Sequence, residues 1–461
     1  MGLPWSPNSL LRVLAERTSA TRQRLGSAAP FRAAARAAKQ RETRETRERQ
    51  RQTAAQRPQK EATMDAQLQQ ISSKPNSEQP AAYQSLIDAT ASSQDAAGMR
   101  TILERLLSDA VPQAASRAAA AHFAQAIQAK MTSDATTDLL TWSLEQIKRQ
   151  AQSFEACDAT LRQALFSRLV DAGDYREAAL VLGGTNVENS ARQYSAAEKA
   201  TLYVTVAETF LEEDESVDAE AYVSRASGLM RDVSASENWA LHLRYRVTLA
   251  RTLDARRKFL DASMRYYELS RADDAKIDRE ELTTLLAKAV TCALLGNAGP
   301  QRSRILTLLY KDERLDDLER SADFAGHARV LKRTVTGQLV RTRDTSQFMA
   351  SLMPHQTALL SDGLTIPEAA MIQHNLVAVA HIYCNISIEH CAQLLDVAPG
   401  RVETTAAKMI AAGRLAASLD QVDGVLHFHA TQNALDSFDE SIKALCLGVN
   451  ACYEHAEQLA A

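Results

Sequence analysis

The sequence predicts a mostly α-helical protein: a right-handed α-solenoid of TPR-like helical repeats, then a winged helix, then a C-terminal bundle helix. Three observations carry this. Glycine and proline are sparse, at 16 and 11 of 461 residues, and alanine is abundant, a composition that favours helices over sheets. Apolar residues recur at helical spacing through the long middle of the chain. Strand-like alternation is confined to two short runs near residue 420.

Residues 1–63 stand apart. They hold 14 Lys and Arg against 5 Asp and Glu, whereas the remaining chain holds 39 against 52. The run "RETRETRERQRQTAAQRPQK" has no apolar period and reads as a basic, disordered extension. The stretch before it, rich in Arg, Ser and Ala with Glu16 its only acid, has the composition of a mitochondrial transit peptide. Coherent helical sequence begins at Met64, in "MDAQLQQISS". The rest of the chain is acidic, which makes it a poor binder of polyanions. Six scattered cysteines without a C-x-x-C pair suit a reduced intracellular setting. No run of about 18 apolar residues occurs, so no membrane span is expected.

Residues 64–290 read as a helical arm. Tyr175, Val217 and Phe259, spaced 42 apart, each open a similar helix: "YREAALVL", "VDAEAYVSRA" and "FLDASMRYYEL". Small residues four positions on, Ala179, Ala221 and Ser263, are expected where neighbouring helices approach closely. A helix pair cannot bury its apolar stripe alone, so stacked pairs build one core. Trp142, Trp239, Tyr266 and Tyr267 are expected to pack in that core or its grooves. The acidic run "LEEDESVD" at 211–218 reads as a cap on an inter-helix turn.

Residues 291–430 form the next division, with a winged helix at about 365–430. Pro367 suits a first helical turn. Ile372, Leu376, Val379 and Tyr383 share one helix face. Ser387 is a plausible N-cap, Pro399 and Gly400 make the turn, and Val402, Ala406 and Met409 line the following helix up to Gly413. The strands "LAASLDQ" and "VLHFHA" follow, joined through Asp423-Gly424, a hairpin signal. The helix that would read bases offers only Arg401 and Lys408, against Glu403, so protein contact is expected rather than nucleic acid. A wing's sheet can instead pair with another chain's sheet. Leu419, Val425, Leu426 and Phe428 are the candidate wing interface.

Residues 431–461 end the chain in a coiled-coil-like helix. Leu435, Phe438, Ile442, Leu445, Val449, Cys452, Ala456 and Leu459 recur at alternating spacings of three and four, which marks a seam, while Leu447 and Tyr453 lie off it. A lone amphipathic helix is marginal in water, so this stripe has to be covered.

The segments "LLYKDERL", "SLMPHQTALLSDG", "MIQHNL" and "MIAAGRLAASLDQVDGVLHF" resemble the PCI-domain family, and within it the fourth-subunit family of the COP nine signalosome. The likeness runs from about Met64 to the end and is strongest from Ile305 to Phe428. PCI proteins join helical repeats to a winged helix and serve the signalosome, the proteasome lid and translation initiation factor three. The resemblance implies a non-catalytic scaffold subunit of the complex that removes Nedd8 from cullins, in cytoplasm and nucleus. Its implied partners are other PCI subunits, the metalloprotease-bearing subunits and, as substrate of the complex, a cullin–RING ligase. A proteasome-lid scaffold is the near alternative, and a DNA-binding winged-helix protein the alternative from another class.

No cofactor or metal is expected. His427-x-His429 with Ser437 and Glu440 approximates the zinc motif of the signalosome's metalloprotease subunit, but that motif ends in Asp. His374, His381, Cys384, His390 and Cys391 form a second cluster, in which the cysteines sit beside apolar stripes and read as small hydrophobes. No P-loop, G-x-G-x-x-G or nucleophile elbow occurs.

Overall fold

The computed structural model describes residues 64–429 and 438–450, apart from 72, 74, 76–77, 109–110, 134, 151, 189–192, 273–276, 440 and the side chains of 342–344. The basic extension at 1–63 lies outside the described residues. The chain divides into two compact units, at Arg256/Arg257.

In the first unit a helix over 64–71 precedes nine more: α1 (Gln79–Ser92), α2 (Ala96–Leu107), α3 (Gln113–Lys130), α4 (Ala135–Ile147), α5 (Glu155–Ala172), α6 (Tyr175–Gly183), α7 (Ala196–Glu212), α8 (Ser216–Leu229) and α9 (Trp239–Ala255). Each packs on a neighbour in sequence, and α1 on α3, α3 on α5, α2 on α4 and α7 on α9 make the next-neighbour contacts of a solenoid. The starts carry local signals. The Asp95 carboxylate accepts from the backbone N–H groups of Ala97 and Gly98 at 3.2 Å. Ser195 and Glu198 form a reciprocal capping box. Gly173, at φ +90°, ends α5 in the left-handed conformation that glycine tolerates.

The acidic run sits at an inter-helix turn, between α7 and α8, but the N-cap residue of α8, Glu215, makes no side-chain capping hydrogen bond. Two of its acids are also used sideways: Glu212 takes Arg251 at 3.0 Å, and Glu215 lies 3.6 Å from Arg176. Glu208, one turn earlier, takes Arg244 at 2.6 Å. Trp142 is half-buried against the core, with the Arg100 guanidinium 5.5 Å above its ring.

The second unit opens with α10 (Phe259–Ser270), α11 (Arg279–Leu295), α12 (Pro300–Tyr310), α13 (Leu315–Arg320), α14 (Ala325–Val335) and α15 (Thr342–Ala350). Tyr266 and Tyr267 of α10 are buried, as expected. The repeat is present, with a correction of register. Helices begin at Tyr175, Ser216 and Phe259, so the spacing is 41 and then 43. Ala178, Ala219 and Ala262, each three positions after its helix start, are fully buried. Ala179 and Ser263 are equally fully buried, as expected, but Ala221 is exposed and so is Val217.

The winged helix comprises α16 (Ile366–Ala380), β1 (Asn385–Ser387), α17 (Ile388–Leu395), α18 (Pro399–Ala411), β2 (Ala417–Asp420) and β3 (Val425–Phe428). Thr365 and Glu368 cap α16 reciprocally, with Pro367 in its first turn. Ile372, Leu376 and Val379 enter a core with Cys391, Leu395, Val402, Ala406, Met409 and Leu426, and Tyr383 packs on its edge. Ser387 caps α17 by accepting the His390 N–H at 3.3 Å. The α17–α18 turn differs from expectation. Asp396, at φ +56°, closes α17, and Pro399 and Gly400 are the first residues of α18 instead of the turn. Proline at the first helical position lacks an N–H that would go unpaired anyway. The strands are shorter than their sequence runs, and a third, β1, makes the sheet β1-β3-β2.

Candidate assembly surfaces

The wing sheet places the four candidate interface residues differently. Leu426, on the central strand, is buried in the winged helix's own core, and Leu419 and Phe428 are half-buried against it. Val425 is half-buried at the start of β3. β3 is paired on both sides and has no free edge. β2 has one strand neighbour, so its other edge is open among the described residues. The hairpin turn is held by the Asp420 carboxylate, which accepts from Val422 N at 2.9 Å and Asp423 N at 3.2 Å. It presents Val422 at 95 % exposure, a residue the sequence reading passed over although an aliphatic side chain inside a hairpin turn is itself a signal.

The C-terminal seam is visible in part. Residues 438–439 and 441–450 are helical. Phe438, Ile442, Leu445 and Val449 are 61, 45, 70 and 60 % exposed. Leu447, off the seam, is exposed as well. Leu435, Cys452, Ala456 and Leu459 lie outside the described residues. Four large apolar side chains on one short helix are thus exposed among the described residues, a surface that water disfavours. Leu359 and Leu360 add two exposed leucines ahead of α16, on a loop held by Leu360 N donating to Leu364 O at 2.8 Å.

The face of α18 that would enter a DNA groove is poor in free cations. Lys408 is paired with Asp362, and this ammonium hydrogen bond holds the Asp362 carboxyl below its usual range. Glu403 accepts from Gln421 at 2.8 Å. Arg401 is exposed at the start of the helix.

Among the described residues no three His, Cys, Asp or Glu side chains come together to hold a metal ion. His427 and His429 are exposed at the end of β3, and Ser437 and Glu440 lie outside the described residues. In the second cluster, His374 and Cys391 are buried while His381, Cys384 and His390 are exposed. Burial pushes the Cys391 thiol up to about 11 and the His374 imidazole down to about 4. Cys391 is therefore the small hydrophobe that was expected; Cys384 is not, because it falls just past α16 on an exposed turn.

Stacked helical pairs followed by a three-stranded winged helix define a protein of the PCI class, and residues 352–430 match the family model described as PCI domain. Residues 62–278 match a second model, described as PSMD12/CSN4, N-terminal. The chain is 34 % identical over 373 residues to the COP9 signalosome complex subunit 4 of Arabidopsis thaliana, covering 80 % of this chain and 91 % of that protein. It is 32 % identical to the subunit 4 of Dictyostelium discoideum, covering 81 % and 91 %, and 34 % identical to that of Drosophila melanogaster, covering 77 % and 84 %. The chain belongs to the COP9 signalosome subunit 4 family.

Proposed function

We propose that this chain is a non-catalytic scaffold subunit of the COP9 signalosome. Its winged helix and C-terminal helix join it to other PCI subunits and to the metalloprotease-bearing subunits. It helps engage cullin–RING ligases for removal of Nedd8, and the active site lies in another subunit. Cytoplasm and nucleus are the compartments this role requires. The observation that carries the reading is the exposed seam of Phe438, Ile442, Leu445 and Val449, in a chain of this family. Covering Phe438, Ile442 and Leu445 in a helical bundle contributes roughly 1.5–3 kcal/mol each. The open edge of β2 offers a second, backbone-directed contact to a neighbouring wing.

The test is co-purification of partners with a chain truncated after Ala430, and with Ile442→Asp plus Leu445→Asp. Both variants are expected to keep the thermal midpoint of the isolated chain, because the described seam side chains are already exposed, and to lose stable incorporation. Normal incorporation would overturn the bundle. Collapse of the isolated chain would place the seam in cis. Recovery of the proteasome base in place of cullins would assign the chain to the proteasome lid.

A further inference from the structure

Within the segment "MIQHNL" stand three consecutive polar residues, Gln373, His374 and Asn375, in the middle of a helix, α16, that is apolar beyond its capping Glu368. Consecutive helical residues point about 100° apart, so three of them face three directions. Each finds a partner outside the winged helix. Gln373 Oε1 accepts from the N–H of Ala298 at 3.0 Å, and its Nε2 donates to Asn297 Oδ1 at 3.3 Å, both in the loop between α11 and α12. His374 Nε2 lies 2.9 Å from the Gln338 carbonyl. A carbonyl only accepts, so the ring carries its proton on Nε2. Asn375 meets Val340 reciprocally: its Oδ1 accepts the Val340 N–H and its Nδ2 donates to the Val340 carbonyl, both at 2.9 Å. Gln338 and Val340 belong to the strap that leaves α14. His374, Asn375 and Val340 are all buried, so water does not replace these bonds.

We infer that Gln373, His374 and Asn375 form a clamp that fixes the angle between the winged helix and the helices preceding it in the second unit. Apolar packing contributes adhesion here too. Ala298 of the α11–α12 loop and Leu339 of the strap join the same apolar cluster as Ile372, Leu376 and Val379. Adhesion of that kind is non-directional and tolerates sliding and rotation. Hydrogen bonds weaken steeply with misalignment, and five of them radiating from one turn of helix to two separate segments leave a single mutual orientation. Buried amide and imidazole groups in place of Leu or Met are what such a role requires; an apolar substitute fills the space without setting the angle. Where the winged helix anchors the chain in an assembly, the clamp also sets the direction in which α11 and α12 leave that anchor. That consequence rests on the function proposed above, and the clamp itself does not.

The test uses the free full-length chain. Spin labels are attached at Arg304→Cys on α12 and Thr404→Cys on α18, with Cys384, Cys446 and Cys452 replaced by Ser. The native junction is expected to give a narrow distance distribution. Asn375→Ala and Gln373→Ala are each expected to broaden it, with helical content and amide protection within α18 unchanged. A merely local stabilising role would lower the thermal midpoint and leave the width alone, and that result overturns the clamp. Should Asn375→Ala melt the winged helix, Gln373→Ala decides, since its bonds lie nearer the surface of the junction. An unchanged width there overturns the inference, and a broadened one supports it. None of these outcomes depends on another subunit.

Discussion

Two buried histidines give the second unit a calculable response to acid. His327 packs edge-on against Phe324 and Phe348, with ring centroids at 5.6 and 5.2 Å, and its Nε2 lies 3.2 Å from Ser351 Oγ. Burial holds it, like His374, near about 4. In the unfolded chain a histidine titrates near about 6.5. Above that value both states are neutral and pH has no effect. Below it the unfolded chain takes up a proton that the folded chain refuses, so stability falls from pH about 6.5 to about 4, by up to about 3 kcal/mol per histidine. Glu281 runs the other way. Burial, with Asp278 beside it, raises its carboxyl to about 7, and that contribution is lost as pH rises from about 4.5 towards 7. Urea unfolding between pH 6 and 4.5 is expected to lose stability with a slope that His327→Gln reduces by about one proton, or about 1.4 kcal/mol per pH unit. Carboxylate titrations are common to both proteins and cancel in that difference. An identical slope would mean that His327 is already protonated in the fold.

At the scale of elements, the repeat shows what sequence alone can and cannot resolve. The three helix starts were legible because each follows a polar turn and opens an apolar stripe. The register of the middle one was not. Alanine stands at both 219 and 221, and composition does not say which faces a neighbour. The turn 213–215 decides it by starting α8 at Ser216, which turns Ala219 inward and leaves Ala221 exposed. β1 escaped for a related reason: three residues are too few for alternation, and only pairing with β3 makes Asn385–Ser387 a strand. The correction has a measurable consequence. Ala178→Leu, Ala219→Leu and Ala262→Leu each push a larger side chain into a filled contact and are expected to destabilise by about 1–3 kcal/mol. Ala221→Leu is expected to stay within about 0.5 kcal/mol of the parent. Denaturant midpoints check both; a cost at Ala221 equal to that at Ala219 would restore the original register.

At the scale of the whole molecule, family membership was legible, and only part of the sequence that carried it, "MIQHNL" above all, is buried. Asp312 and Arg314 of "LLYKDERL" pair at 2.7 Å, and Arg314 Nη2 donates to Ser270 Oγ at 3.2 Å, holding the α12–α13 turn against the end of α10. Surfaces left fainter marks. The seam was readable from spacing because a helix stripe has a period, whereas the free edge of β2 is a property of backbone groups that no side chain encodes. Its polarity can nevertheless be worked out. His429 N donates to Ala416 O at 2.8 Å, and the bonded pairs of an antiparallel ladder alternate, so Ser418 and Asp420 bond across to β3. Phe428 N donating to Cys384 O at 2.8 Å, towards β1, fits the same alternation. The N–H of Leu419 therefore points out of the sheet edge, where an added strand would meet it. Leu419→Pro removes that donor and no bond of the β2–β3 ladder. It also loses the leucine's packing on the winged-helix core, and Leu419→Ala controls for that loss while keeping the N–H. If a neighbouring wing adds along β2, the two variants have similar thermal midpoints, Leu419→Ala co-purifies with its partner subunits, and Leu419→Pro does not. Equal recovery of both would rule out strand addition at this edge and leave the exposed seam of the C-terminal helix as the contact that assembly requires.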